Sequence, residues 1–268
     1  MKGLAHLGFA LFTFSAMAQA VVIEPGTRDA DYRVSADEFP ALAELPGEGQ
    51  GVLIAKQWVV TAAHASQGYT LKQVSIGGRW RDVAKVILYP GFKPLPKEAQ
   101  QLTGDAAPLM AVLAAMHDIA LIELAVPVTD VQPASLYRGS DELGKRVKLY
   151  GKGATGDGTA GEYPQSPHRG ELRRAYNRVT GAHDQWLDYS FDCGPAALPQ
   201  EGVLGDGDSG GPLLIETADG WQLAGLADWK HWQGDLAKFR PGVCGQEFSN
   251  SRISYYAAWI DSVTATGK

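Results

Sequence analysis

The chain has 268 residues and a formal net charge of −6, a length that fits one all-β domain or two smaller ones. Such mild acidity leaves no electrostatic footprint for a nucleic-acid partner. Two cysteines and six scattered histidines form no metal-ligand pattern, so neither a metal nor a cofactor is expected.

In chain order, Lys2 is followed by an apolar run over 7–14 and by small residues ending A-Q-A at 18–20. This is the order of a secretory signal peptide, and the run is too short to span a bilayer. Residues 1–20 are therefore set apart from the fold, and 21–268 is expected to be secreted or periplasmic, without membrane contact after signal removal. Export would place Cys193 and Cys244 in a compartment that permits a bridge.

Short runs of Val, Ile, Leu and aromatics then recur at 51–55, 58–61, 83–88, 119–124, 146–150, 212–215 and 221–226, with Gly, Pro and Asp between them. This rhythm predicts an antiparallel sandwich or barrel rather than βαβ units. Two segments interrupt it. Residues 93–116 hold three prolines and the run L-M-A-V-L-A-A-M, a short helix in a long loop, and 152–170 reads as an exposed Gly/Pro-rich loop. Arg169, Arg173, Arg174 and Arg178 read as a solvated strand face. Near the end, Tyr255, Tyr256, Trp259, Ile260 and Val263 recur at helical spacing, predicting a closing amphipathic helix over 251–265.

The stretch G-D-G-D-S-G-G-P at 205–212 suits neither helix nor strand, since each glycine costs about 0.5–1 kcal/mol there. A serine so placed is a candidate nucleophile, and it needs a base and a group that fixes the base's tautomer. His64 ends T-A-A-H after the 58–61 strand, and Asp118 opens D-I-A-L. Small residues beside His64 leave room for its imidazole to approach Ser209.

The order His64, Asp118, Ser209, with T-A-A-H at 61–64, D-I-A-L at 118–121 and G-D-S-G-G-P at 207–212, resembles the chymotrypsin (trypsin-like) serine protease family. Weaker echoes are Y-P-G-F at 89–92, G-K-G at 151–153 and A-W-I at 258–260. The resemblance covers nearly all of 21–268. It implies two antiparallel six-stranded β-barrels, roughly 21–135 and 136–250, with a C-terminal helix and the active site in the cleft between the barrels. It implies Ser209 as nucleophile, His64 as general base and acid, Asp118 as its orienting group, and the N–H groups of Gly207 and Ser209 as the oxyanion hole. The implied activity is a monomeric serine endopeptidase acting on proteins or peptides. A catalytically impaired binding protein and an esterase-like hydrolase remain the alternatives.

In the family an aspartate at position 208 pairs with the α-amino group that opens the mature chain. Ile23-Glu-Pro-Gly26 resembles the family's start, while cleavage after Ala20 would open the chain at Val21. Cutting after Val22, further trimming, or a reach from Val21 itself are the open routes. Departures from the family are Ala65, Gly49 and Gly205 where cysteines are usual. The resemblance implies that Cys193 and Cys244 flank the specificity pocket and bridge there. The pocket residues it implies are Val203, Leu204, Asp228, Trp229, Lys230 and Gly242. With Val203 where trypsin-like specificity places an aspartate, cleavage after Arg or Lys is not expected. Lys230 would either narrow the pocket or attract an acidic side chain. Asp228 replaces a serine that donates to the catalytic aspartate. It would share a proton with Asp118 or turn to Lys230, unless the alignment is shifted by one. His117 reads as structural and His231 as a candidate for the pocket rim. The 75–81 stretch lacks the acidic ligands of the family's calcium loop.

Overall fold

The computed structural model describes residues 21–96, 103–164, 166 and 170–265; the predicted signal segment, His168 and Arg169 lie outside them. Strands run as β1 (Val21–Ile23), β2 (Leu42–Glu44), β3 (Gln50–Ala55), β4 (Trp58–Thr61), β5 (Gln73–Ile76), β6 (Arg79–Leu88), β7 (Ala120–Leu124), β8 (Arg146–Gly151), β9 (Thr155–Asp157), β10 (Gly161–Glu162), β11 (Arg173–His183), β12 (Trp186–Ser190), β13 (Gly202–Val203), β14 (Pro212–Thr217), β15 (Gly220–Lys230) and β16 (Glu247–Arg252). Helix α1 covers Ala107–Ala114 and α2 covers Ile253–Ala265.

Two sheets close on themselves, in the orders β2-β3-β4-β7-β6-β5 and β11-β12-β16-β15-β14-β8. Closure leaves no unpaired edge in either barrel. In the first, β4 and β7 are buried along nearly their whole length, so both read as short apolar runs. In the second, β11 alternates between buried and accessible positions over its first half, the period-2 signature of one inward face. The all-β, two-barrel architecture expected from the sequence is what the chain adopts.

The first residues of the chain's described part do not belong to the first barrel. Strand β1 sits in a separate sheet of order β10-β9-β1-β13, parallel to β9 and antiparallel to β13, with Val22 opposite Val203. Its three residues are buried with the core of the second barrel. The C-terminal helix buries Ile253, Tyr256 and Ile260 in the core that holds the first barrel, so the last element of the chain ties the two halves together.

Two sequence readings are corrected. The 152–170 stretch is not simply an exposed loop, because it carries β9 and β10 of the sheet that β1 joins, and residues 153–156 are buried. Arg173 is fully buried rather than solvated, because its guanidinium meets Asp29 through two bonds, of 2.6 and 2.9 Å. A bidentate ion pair supplies the partners that burial of a cation demands.

Candidate active site

His64 stands in a single 3₁₀ turn, His64–Ser66, that follows β4, beside the fully buried Ala62 and Ala63. Asp118 lies just before β7 and is 4 % exposed. One carboxylate oxygen accepts the backbone N–H of His64 at 2.8 Å, and the other meets His64 Nδ1 at 2.7 Å. The acid thus holds the residue's main chain and ring together, directing Nε2 away from itself. Burial works against a charge on His64, but attraction and hydrogen bonding by Asp118, with a further pull from Asp228, push its pKa up to about 9.

Ser209 is carried by the loop between β13 and β14, and this loop is stitched to both barrels. Ser209 O accepts Gln50 N–H at 2.7 Å, and Gly210 N–H donates to Ala227 O at 2.7 Å. Gly210 has φ +78°, and a β-carbon there would collide with Gln50 O and come within 2.5 Å of Thr61 Oγ1 and 2.8 Å of Ala62 N. The glycine directly after Ser209 is therefore needed where the nucleophile loop crosses the strands leading to His64. Gly207 adopts φ +87°, a conformation that only glycine enters without strain.

Asp208 is wholly buried. Its Oδ1 accepts from Lys152 N and Gly153 N at 2.7 Å and from Gln50 Nε2 at 2.5 Å, and its Oδ2 from Gly205 N at 3.0 Å. Burial outweighs these bonds and pushes the pKa up to about 6. A cation placed beside this carboxylate would reverse the shift.

The cavity beside Ser209 measures about 40 Å³ and is lined by Leu204, Asp228, Trp229 and Lys230, with Asp206 and Phe248. Lys230 does not reach toward Asp228. Its ammonium lies between Glu162 Oε1, at 2.5 Å, and the Asp206 carboxylate. Val203 and Gly242 sit off this cavity. Val203 pairs with Val22, a β-carbon at Gly242 would meet the Val22 side chain, and the Gly242 N–H goes to Gln246. Cys193 and Cys244 form a disulfide. His231 stacks on Trp229 at 4.2 Å and bonds Ser249 Oγ, two residues of the lining, without lining the cavity itself. His117 bonds the Tyr256 hydroxyl at 3.0 Å, a structural role as read from the sequence.

A second, larger cavity of about 330 Å³ opens on the other side of His64. Phe92, Leu95, Leu113 and Met116 line it together with Trp229. Four of these come from the 93–116 segment and its approach, which the sequence left undecided between an overhang and a surface loop. Its described parts, 93–96 and 103–116, form an overhang, and the second of them is fastened to the second half of the chain. The carbonyl of Ala114 at the end of α1 accepts Trp186 Nε1 at 2.8 Å, Ala106 N–H donates to Gly234 O, and Leu236 N–H to Gly104 O.

The family model described as Trypsin matches residues 31–260. The chain belongs to the trypsin family of serine proteases. A curated relative, "Serine protease filzig" of Drosophila melanogaster, is 27% identical over 238 residues, covering 80% of this chain but only 12% of the relative's own length. Among solved structures, the mouse brain serine protease neuropsin aligns with TM-score 0.63 at 21% identity, covering 87% of this chain and 98% of that one. At that identity the likeness shows the trypsin fold alone.

Sequence reasoning did not find Gln50, Glu162 or the apolar wall around Leu113. Gln50 carried a signal, a polar residue opening a buried strand. Glu162 carried none, since its partner Lys230 is 68 residues away.

Proposed function

We propose that the protein is a serine endopeptidase whose nucleophile is Ser209. The observation that carries this reading is the two-point grip of Asp118 on His64, with the Ser209 carbonyl held by Gln50 and the following Gly210 held by Ala227 where the two barrels meet. Ser209 Oγ attacks the scissile carbonyl while His64 Nε2 takes its proton. The imidazolium is stabilised by Asp118 and then returns the proton to the leaving amine. The N–H groups of Gly207 and Ser209 receive the oxyanion, each worth about 2.7–4 kcal/mol in the transition state. Water releases the acyl group by the same path in reverse.

The substrate's side chain next to the scissile bond is small and apolar in this reading. A cavity of about 40 Å³ does not admit an aromatic ring, and Val203 offers no charge for a basic one. An acidic side chain would have to displace a carboxylate already bound to Lys230. The larger cavity beside Leu113 and Met116 takes a bulky apolar residue further along the substrate. The substrate backbone pairs with the 228–230 edge as an added strand.

The mature chain opens at Val21. This residue has φ +71°, a rare conformation for a β-branched residue inside a chain, and it ceases to be a constraint once the preceding peptide bond is cut. Val22 pairs with Val203 in antiparallel register, and continuing that register would bring Val21 toward Leu204, one residue from the Gly205 amide that bonds Asp208. An α-ammonium at Val21 is then such a cation for Asp208. Trimming to Ile23 would discard two paired, buried residues.

The test is intact-mass analysis of the secreted protein after exposure to a fluorophosphonate, with Ser209→Ala as control. One adduct, lost in the variant, is expected. No adduct on protein starting at Val21 would favour the binding-protein alternative. Ester cleavage without cleavage of a protein substrate would favour the esterase.

A further inference from the structure

Asp228 lines the cleft beside the triad, and the mechanism above does not use its carboxyl group. It sits at a bulge, where the pairing of β15 with β16 slips between Ala227 and Trp229. The slip turns its side chain back on the ladder, so that Oδ2 takes the N–H of Ser251 at 2.6 Å. The other oxygen, Oδ1, is buried without a hydrogen-bond partner. Ligating atoms of Asp228, Asp118 and His64 all lie within 4.8 Å of one another. Ser251 also donates its hydroxyl to the Asp118 carbonyl, so β16 holds both acids in place.

The groups facing Asp228 are Asp118 ahead of β7, His64 after β4, the Ser251 amide on β16 and Tyr256 on α2, whose hydroxyl burial and the nearby carboxylates keep neutral. Lys230, two residues on, is committed to Glu162 and Asp206. Two anions this close in a buried setting cannot both be ionised without large cost. Were Asp228 the anion, it would also add to the pull that keeps a proton on His64, and a protonated imidazole is no general base.

We propose that Asp228 is a positioning residue held as the neutral acid in the working enzyme, its Oδ1 hydroxyl directed at the Asp118 carboxylate. It thereby supplies a donor to Asp118 while leaving the imidazole of His64 free to accept the serine proton. This rests on the protease reading for its consequence, though not for its protonation state. Burial first, then the Asp118 charge, hold Asp228 well above the usual carboxylate range.

The deciding measurement needs no turnover. The carboxyl carbon resonance of Asp228, assigned by its loss in Asp228→Asn, is followed against pH in protein labelled at aspartate. A neutral-acid shift at pH 7 is expected, and an ionised shift at pH 7 overturns the proposal whatever the activity. The rate of fluorophosphonate labelling adds a second readout on variants whose melting is unchanged. Asp228→Asn, neutral at every pH, is expected to keep the acid limb of the wild type and to lack an alkaline inflection that the wild type shows. An acid limb that falls by about one pH unit in Asp228→Asn would show that an ionised Asp228 had been holding the proton on His64, and would also overturn it. Failure of both proteins to label would count against the protease reading and leave the resonance to decide this one.

Discussion

At the scale of single residues, two charges decide how the site behaves. Asp208 in the chain still joined ahead of Val21 has its pKa raised to about 6 by burial. Between the ordinary carboxylate range and that value the folded form binds more protons than the unfolded one, so its stability falls as pH rises through the window. The unprocessed protein is therefore expected to melt at higher temperature at pH 5 than at pH 7.5, and Asp208→Asn to flatten that difference. If the mature chain opens at Val21 as proposed, its α-ammonium is expected to reverse the sign, and the same substitution to lower both the melting temperature at pH 7.5 and the labelling of Ser209. Thermal unfolding of the two forms at both pH values checks this. Lys230 is the second charge. Its stem narrows the cavity beside Ser209 and its ammonium is already bound, so Lys230→Gly is expected to raise the preference for Phe over Ala esters by about tenfold or more. That is the order of discrimination expected from a few methylenes of pocket space, and kcat/KM on paired ester substrates measures it.

At the scale of elements, the 93–116 segment is the departure that matters most. Helix α1 has no buried residue of its own, yet its last carbonyls and the strand-like bridge of Asp105 to Asp235 hold it across the cleft. Leu113 faces the apolar cavity, and Leu113→Glu would put a charge there. The expected result is about a tenfold loss in kcat/KM for peptides with a bulky apolar residue near the scissile bond. Labelling by a small fluorophosphonate should stay unchanged. Equal loss on both probes would show that the helix supports the triad rather than the substrate. The bulge at Ala227–Trp229 is a second element-scale device. The sequence A-D-W-K reads as plain strand, and only the slip in pairing explains why Asp228 faces the site.

At the scale of the whole molecule, the two barrels meet through α2, and a disulfide staples two loops of the second half to each other. Cys193 and Cys244 close a loop of 51 residues, a length worth about 4 kcal/mol in the chain-entropy account. Replacing both by Ser should lower the melting temperature by on the order of 10 °C, read by calorimetry of the oxidised wild type and the variant. The sequence by itself determined the all-β class, the closing helix and the candidacy of His64, Asp118 and Ser209. All of these rest on local periodicity or on motifs whose residues are neighbours in the chain. Only the tertiary structure decided that Val21–Ile23 packs with the core of the second barrel, that Arg173 is buried against Asp29, that Lys230 is spoken for by Glu162 and Asp206, and that Asp228 is left with an orphaned buried oxygen. Each of these depends on partners brought together by barrel closure across tens of residues, and no local pattern encodes which distant charge a side chain will meet.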